Sequence, residues 1–276
     1  MTKDKITILD SILKDLGSFI VGFSGGVDSA FLLYRAKLLN PLNVKAVTIR
    51  TIYIPPREIS EAVEFTKSHG IDHEIIDLEL PDNMRHNPIQ RCYLCKKTLF
   101  TALVSFAGKN GFKYVIDGTN ADDSMDFRPG LKALNELNVR SPLAEAGLTK
   151  SDIREYAKKE GLPIWDKPAM ACLLTRIPYN SEVTDEILQK IEKAENLLFE
   201  KGYPGARVRV HGDVARIECL LGYVDRIFND PRRQVIVSEL KKIGFRYISL
   251  DMEGYRTGSM DPENKDYDGK RTGKTT

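Results

Sequence analysis

Strand-like and helix-like segments alternate through the first two thirds of the chain, and this alternation constrains the fold more than any other feature. The strand-like runs cover 19–23, 44–54, 73–78 and 114–116, and the helix-like segments cover 28–39, 59–69, 95–107 and 149–160. Strands connected through helices favour parallel pairing, with helices on both faces of the sheet. We therefore predict an α/β fold with a doubly wound parallel sheet.

The pattern changes near Pro178, which indicates a second, smaller domain. The later segments are a long amphipathic stretch at 181–200, strand-like runs at 207–211, 214–219 and 247–250, and a helical stretch at 234–243. We predict a first domain at 1–179 and a small α+β domain at 180–260. Residues 261–276 are polar apart from Tyr267 and are predicted to form a disordered tail.

Charge and hydropathy exclude several classes of protein. Lys and Arg number 41 and Asp and Glu 39, a net charge of +2, so charge alone indicates neither a nucleic-acid nor a membrane partner. No apolar run approaches the ~18 residues of a membrane-spanning helix. The segment 6–16 reads as an amphipathic helix that carries Asp10 and Lys14, unlike a signal peptide. We expect a cytoplasmic protein.

The strongest local signal is Ser24-Gly25-Gly26-Val27-Asp28-Ser29, where the first strand gives way to a helix. Glycines there can adopt positive φ and let backbone N–H groups approach a ligand closely. The new helix adds N-terminal donors and the positive end of its dipole, and two serines add hydroxyl groups. Together they form a nest for a polyanion, and we expect Asp28 to hold Mg²⁺ beside it.

A second polar segment, 117–123, follows the strand-like run at 114–116. Ligands in open parallel sheets bind beyond the carboxyl ends of the strands, so this segment is expected on the same edge as the phosphate loop. Gly118 and Asn120 are its candidate ligand-binding residues. The alternative is an ordinary turn rich in Asp and Asn.

The cysteines form a separate signal. Cys92 and Cys95 have the spacing with which two thiolates reach one metal ion or cluster, and adjacent basic residues would lower their pKa values. Lys167 and Arg176 give Cys172 a similar electropositive setting. Three cysteines on a [4Fe–4S] cluster would leave one iron open to hydrosulfide. A redox dithiol, a zinc site and an unreactive Cys172 remain alternatives.

Basic residues alternate along one predicted strand of the smaller domain. Arg207, Arg209 and His211 project from one face of the 207–211 run, and two arginines can bind a phosphate through paired hydrogen bonds. Arg256, in a glycine-flanked turn, is a further candidate. The alternative is a solvated basic face. Cys219, in strand-like sequence, is interpreted as structural.

The hexapeptide at 24–29 resembles the pyrophosphate loop of the PP-loop ATP pyrophosphatase superfamily, which splits ATP between its α- and β-phosphates. From about residue 9 to 260 the chain resembles the LarE-type ATP-dependent sulfur transferases. The segments that carry this resemblance are 24–29, 91–96, 165–176, 207–212 with 215–218, and 254–259.

The resemblance implies the maturation of the nickel-pincer nucleotide cofactor of lactate racemase. The substrate would be pyridinium-3,5-biscarboxylic acid mononucleotide. ATP with Mg²⁺ would adenylate one carboxylate, and sulfur would then displace AMP to give a thiocarboxylate. Thr48 matches a position that often meets adenine, and three further residues match positions near the substrate: Arg176, Glu195 and Glu218. For the two glutamates, a surface ion pair is the alternative.

Members of this family supply sulfur in two ways. Some give up the sulfur of a cysteine at the position of Cys172, leaving dehydroalanine, and lack the pair that matches Cys92 and Cys95. Others have all three cysteines and carry a [4Fe–4S] cluster that relays external sulfide. This sequence matches the second type, so we predict that Cys172 is a cluster ligand and is not consumed. The partners would be the nucleotide substrate, a sulfide source and further copies in a homo-oligomer.

Three other functions compete with this interpretation. A tRNA thiolase of the same superfamily can also use three cysteines on a cluster, but the small net charge and the presence of only four cysteines argue against it. An amide-forming synthetase would not need three cysteines. A non-enzymatic ATP- or cluster-binding module would release no pyrophosphate.

Overall fold

The computed structural model describes residues 4–39, 43–125, 129–168, 171–256 and 258–260, so the predicted tail at 261–276 lies outside it. The chain forms two compact units. Unit 1 comprises Met1–Met84 and Ile89–Ala171, and unit 2 comprises Arg85–Pro88 and Cys172–Thr276. This division precedes the predicted 179/180 boundary because the turn at Leu173–Arg176 packs against later elements of unit 2.

Unit 1 contains a parallel sheet and the helices that cover it. Its elements are α1 (Lys5–Leu16), β1 (Ser18–Gly22), α2 (Val27–Leu38), β2 (Asn43–Arg50), α3 (Pro56–Ser68), β3 (His73–Asp77), a 3₁₀ turn (Asp82–Met84), α4 (Arg91–Lys109), β4 (Tyr114–Ile116), α5 (Ala121–Met125), α6 (Pro129–Glu136), α7 (Pro142–Glu145) and α8 (Lys150–Lys159). The strand order is β3-β2-β1-β4, and each pair is parallel. The predicted α/β fold with a parallel sheet is confirmed.

The central strand β1 shows why this sheet is covered on both faces. Its side chains alternate, so Phe19 and Val21 join a core that includes Phe31 of α2, whereas Ile20 joins a second core that includes Phe100 of α4. A strand buried on both faces reads as a continuous apolar run, as this one does. The edge that carries the phosphate loop is thereby fixed by two packed cores.

Unit 2 contains a three-stranded mixed sheet with its own core. Its elements are a 3₁₀ turn (Leu173–Arg176), α9 (Asp185–Glu200), β5 (Arg207–His211), β6 (Val214–Glu218), α10 (Leu221–Phe228), α11 (Arg233–Ile243) and β7 (Tyr247–Leu250). Strand β6 lies between its neighbours, antiparallel to β5 and parallel to β7. Its core packs side chains of α9, α11 and the sheet around Val208 and Cys219.

Several element boundaries differ from the sequence predictions. Strand β2 ends at Arg50 because the chain then turns, with Ile54 N–H donating to the Thr51 carbonyl. Helix α9 begins at Asp185, where the Thr184 side chain accepts from the Ile187 N–H and caps the helix. The predicted capping box of α8, with Thr149 and Asp152, is present.

Helices account for the other differences. The helix predicted at 95–107 runs from Arg91 to Lys109, and α10 precedes the single helix predicted between the last two strands. The short helices between β4 and α8 were missed. In the part of the chain that the structure describes, no helix combines the length and apolar character needed to cross a membrane.

Candidate functional site

The phosphate loop closes over the end of β1. Gly25 has φ +71°, and Gly26 is the N-cap of α2. The Gly26 N–H donates to Ser24 Oγ at 3.3 Å, and Ser24 Oγ lies 3.1 Å from Ser29 Oγ. The loop therefore gathers two hydroxyl groups at the N-terminus of α2, where the helix leaves its first N–H groups without intrahelical partners.

Gly118 and the phosphate loop lie together at the edge of the sheet. A Cβ atom at Gly118 would stand 2.8 Å from Ser29 N and 2.9 Å from Ser29 Cα, so only glycine permits this approach. Asp117, which is buried, accepts from Thr119 Oγ1 at 2.6 Å and from Ser141 Oγ at 2.7 Å. The backbone after β4 is thus held against the start of α2.

Asn120 continues this edge through a local turn. Its Oδ1 accepts from the Asp123 N–H at 3.1 Å, and its own N–H donates to Asp123 Oδ2 at 3.3 Å. The structure therefore brings Gly118 to the loop directly, whereas the Asn120 amide oxygen stabilises the first turn of α5.

Asp28 is the carboxylate of the loop. Its Oδ2 lies 2.5 Å from Lys150 Nζ, and its Oδ1 is buried without a hydrogen-bond partner among the described residues. Burial raises the pKa of Asp28, while the ion pair with Lys150 acts in the opposite direction. A carboxylate oxygen with unused acceptor capacity beside a phosphate nest suits Mg²⁺, which prefers oxygen ligands.

Thr48 uses its hydroxyl group inside the protein. It is buried, donates to the Phe23 carbonyl at 2.7 Å and lies 2.8 Å from His73 Nε2. Since the single hydroxyl proton goes to the carbonyl, His73 Nε2–H donates to Thr48. Thr48 thus fixes the residue that leads into the phosphate loop. A contact between Thr48 and adenine stays a prediction.

Cys92 and Cys95 occupy the first turns of α4. Cys92 is exposed and Cys95 is half-buried, with the Tyr53 hydroxyl 3.5 Å from Cys95 Sγ. Residues three apart share a helix face, so the two thiols can serve one ligand set. Next to them, Lys96 Nζ lies 3.1 Å from Asp117 Oδ2 and so connects this helix to the phosphate edge.

Cys172 begins unit 2, directly before its 3₁₀ turn. Its carbonyl accepts from Thr175 Oγ1 at 2.9 Å and from Arg176 Nη1 at 3.1 Å. Cys219 instead lies in the core of unit 2, where burial raises the pKa of its thiol. Among the described residues, no three His, Cys, Asp or Glu side chains are grouped closely enough to hold a metal ion.

Two arginines of unit 2 are held by carboxylates, of which Glu218 is buried and Glu195 is half-buried. Arg176 makes two hydrogen bonds to Glu195, of 2.8 and 2.9 Å. Arg209 makes two to Glu218 Oε2, of 3.0 and 2.8 Å, and a third to the Thr175 carbonyl at 2.8 Å. The side chain of Glu218 has no exposed surface, and that of Arg209 is 5% exposed. These pairs are structural anchors of the sheet.

Arg207 and Arg256 have different surroundings. Arg207 Nη1 is 4.0 Å from the Glu195 carboxylate that Arg176 already engages, and burial together with the Arg176 charge lowers the pKa of Arg207. Arg256 is 41% exposed and lies 3.4 Å from Asp251. Because Arg207 and Arg176 share one carboxylate, positive potential gathers around Arg207. His211 lies on an exposed end of β5.

Comparisons with known proteins bear directly on these features. The NAD synthase family model matches residues 5–108, which include the phosphate loop and both cysteines of α4. An uncharacterized protein from Synechocystis sp. is 37% identical over 94% of this chain and 98% of its own length. Pyridinium-3,5-bisthiocarboxylic acid mononucleotide synthase from Lactiplantibacillus plantarum is 35% identical over 93% of each chain. An uncharacterized protein from Methanocaldococcus jannaschii is 34% identical over 86% of this chain and 90% of its own.

The chain belongs to the LarE-type sulfur transferases. It is accordingly an ATP-dependent enzyme of the PP-loop superfamily, as the sequence motifs predicted. The match to the synthase extends over both units of this chain.

Two lysines at the phosphate loop were missed by sequence reasoning. Lys150 pairs with Asp28, and its own N–H donates to Asp122 Oδ2 at 2.8 Å. Lys167 was assigned to the surroundings of Cys172, but its Nζ lies 2.9 Å from the Gly25 carbonyl and 2.6 Å from Glu61. A usable signal for Lys150 was its place at the first position of α8, whose cap the sequence predicted.

Proposed function

We propose that this LarE-type enzyme converts pyridinium-3,5-biscarboxylic acid mononucleotide to its thiocarboxylate. In the first step a substrate carboxylate oxygen attacks the α-phosphorus of ATP and pyrophosphate leaves. In the second, hydrosulfide attacks the acyl carbon and AMP leaves with the former carboxylate oxygen. No electrons are gained or lost. The similarity to the synthase over nearly the full length of both chains supports this substrate.

The phosphate loop is the observation that carries the proposal. A carboxylate is a poor electrophile because its leaving group would be oxide, so activation by ATP is needed before sulfur can enter. The N–H groups at the start of α2 and the hydroxyl groups of Ser24 and Ser29 are arranged to stabilise negative charge on departing pyrophosphate. We assign Asp28 as the ligand of Mg²⁺, which would neutralise charge on the same phosphates.

We assign the phosphate of the nucleotide substrate to Arg207, with Arg256 as its second cationic contact. Arg209 and Arg176 are each engaged by a carboxylate and a backbone carbonyl, and so act as supports for the strand that presents Arg207. Glu195 and Glu218 hold those supports. This division of roles is finer than the sequence prediction, which places all of these residues at or near the substrate.

We assign Cys92, Cys95 and Cys172 as the ligands of a [4Fe–4S] cluster. When bound, such a cluster supplies an iron that can carry hydrosulfide to the acyl carbon. Two thiols on one face of α4 suit this donor set. The reduced cysteines that this relay needs favour a reducing compartment such as the cytoplasm.

The test is an anaerobic incubation with ATP, Mg²⁺, the dicarboxylate mononucleotide and isotopically labelled sulfide. We expect pyrophosphate and AMP in equal amounts, a thiocarboxylate that carries the label, and iron and acid-labile sulfide that are lost in Cys92→Ala. Unlabelled product, together with a protein mass lowered by one H₂S, would instead identify Cys172 as a sacrificial donor. Sulfur in added tRNA and none in the mononucleotide would indicate a thiolase.

We also propose that the protein is a homo-oligomer through unit 2. Large apolar side chains of this unit are exposed: Leu220, Leu221, Phe228, Val235, Tyr247 and Met252. Leu220, Leu221 and Phe228 belong to α10 and its N-cap, and an exposed apolar helix face of this kind marks an interaction surface. Light scattering after size-exclusion chromatography should give a mass above that of one chain, and Phe228→Lys should lower it; a monomeric wild type would contradict the proposal.

A further inference from the structure

Lys150 lies beside Asp28 at the phosphate loop, where a cation could neutralise the charge of an ATP phosphate. Its Nζ is 2.5 Å from Asp28 Oδ2, and the other oxygen of Asp28 is buried without a hydrogen-bond partner among the described residues. One oxygen of Asp28 is thus already paired with a cation, while the other is free to accept a further ligand. This inference deepens the proposed function and rests on its use of ATP.

We propose that Lys150 changes partner during the reaction. While the loop is empty, its ammonium group neutralises Asp28. When a divalent cation arrives with ATP and takes the Asp28 carboxylate, the ammonium group moves to an oxygen of the β- or γ-phosphate and holds the pyrophosphate that leaves. The exchange is favoured because a divalent cation bound at the unpartnered Oδ1 would repel the ammonium group held at Oδ2 of the same carboxylate.

The anchoring of α8 makes this movement local. The Lys150 N–H donates to Asp122, and the reciprocal hydrogen bonds of Thr149 and Asp152 fix the first turn of the helix. The base of the side chain is therefore immobile, whereas its flexible four-carbon stem can swing the ammonium group. The destination is close, since Asp28 and the phosphate loop share the N-terminus of α2.

The exposure of the pair argues against a purely structural role. The Lys150 side chain is 34% exposed and that of Asp28 is 20% exposed. Ion pairs with this access to solvent contribute little to folding stability. A lysine that only stabilised the fold would gain little there, whereas a lysine that must exchange partners needs this access.

The experiment measures two binding constants in Lys150→Met and in Lys159→Met. Lys159 is an exposed lysine at the other end of the same helix and provides the matched control. Mn²⁺ alone, followed by electron paramagnetic resonance, reports on Asp28, and inorganic pyrophosphate with Mg²⁺, followed by calorimetry, reports on the phosphate site. Thermal melting verifies that both variants fold.

Opposite changes in the two constants are the expected result. Lys150→Met should bind Mn²⁺ more tightly, because the competing ammonium group is gone. Its dissociation constant for pyrophosphate should rise by about tenfold or more, because a charge-assisted hydrogen bond is lost. Lys150→Arg should recover much of the pyrophosphate affinity, and Lys159→Met should match the wild type in both measurements.

Two results would overturn the inference. If both constants weaken together in Lys150→Met and Lys150→Arg, the lysine only supports the loop, and if neither changes, it has no role in binding. In both cases wild-type binding of pyrophosphate and of Mg·ATP would leave the proposed function standing. A wild type that binds neither ligand would instead remove the proposed function.

Discussion

The phosphate edge of unit 1 and the arginine-bearing sheet of unit 2 concentrate positive potential by different means. In unit 1 the potential comes from backbone N–H groups at the start of α2, and its lysines rest on partly exposed carboxylates. In unit 2 it comes from buried guanidinium groups that are fixed by ion pairs with carboxylates. The site in unit 1, which is built from backbone groups, should therefore be sensitive to substitutions that add atoms against the backbone. The site in unit 2, which is built from side chains, should be sensitive to substitutions that remove a charge.

The largest effect should follow removal of a buried charge in unit 2. Arg209→Met leaves Oε2 of Glu218, whose side chain has no exposed surface, without its cation, while Arg216 still pairs with Oε1. Leaving a buried charge wholly uncompensated costs about 3–5 kcal/mol of the free energy of unfolding, so with Arg216 retained we expect a loss of up to about 3 kcal/mol. Chemical denaturation should report the loss. The control is Arg246→Met on the exposed start of the last strand, and equal stability of the two variants would contradict the anchoring role.

The next effect should follow addition of a methyl group in unit 1. In Gly118→Ala the new carbon would meet backbone atoms of Ser29 at 2.8 and 2.9 Å, which cannot move without shifting α2. We expect a loss of about 1–3 kcal/mol of stability and weaker binding of Mg·ATP by calorimetry.

Gly108→Ala is the matched control for this methyl group. A Cβ atom there meets nothing within 4 Å, and Gly108 lies within α4, where alanine is favoured over glycine. It should be neutral or slightly stabilising. Unchanged ATP binding in Gly118→Ala would show that the edge of the sheet tolerates more than its packing indicates.

These two sites differ in how far the sequence could predict them. The phosphate loop was predictable because its function depends on glycines at a strand–helix junction, which a sequence displays directly. Gly118 was predicted on the same edge because its segment follows a strand of the same parallel sheet. The roles of Arg207 and Arg209 were not separable, since both alternate on one strand and only the position of Glu218 distinguishes them.

Lys150 and Lys167 illustrate a second limit of sequence reasoning. Each reaches the phosphate loop from a distant segment: Lys150 is 122 residues from Asp28 in the sequence, and Lys167 is 142 residues from Gly25. Such contacts depend on the packing of α8 and of the segment that follows it. No local pattern of residues indicates where a long, flexible side chain will place its charge.

A smaller effect is expected for Arg207→Lys, which sharpens the distinction between anchor and ligand. Lysine keeps the positive charge beside the Glu195 carboxylate, so this replacement should cost little stability. Lysine lacks the planar fork that binds phosphate through two hydrogen bonds. We expect KM for the mononucleotide to rise about tenfold with kcat little changed. A large loss of stability would make Arg207 an anchor.

The smallest expected effect is on the dependence of folding stability on pH. Burial lowers the pKa of His73 below the ~6.5 of an unfolded chain. The unfolded state then binds the proton more readily than the folded state. The contribution of His73 to folding stability is therefore complete above about pH 6.5 and is lost as the pH falls through the pKa of His73 in the folded protein. His73→Asn should show a shallower fall of the melting temperature between pH 7 and 5 than wild type. The exposed His86→Asn is the control, and equal slopes in all three would refute it.

The segment Arg85–Pro88, which belongs to unit 2, sets the order in which the chain can fold during synthesis. Asn87 is fully buried, and its Nδ2 donates to the carbonyls of Leu174, Ile177 and Pro178. The ribosome delivers Asn87 87 residues before Leu174, or roughly 4–17 s earlier at ordinary rates of translation. Unit 1 can assemble around this loop while it waits. A gene fragment that ends at residue 171 would leave the loop without its acceptors, so the units cannot be separated by a single cut.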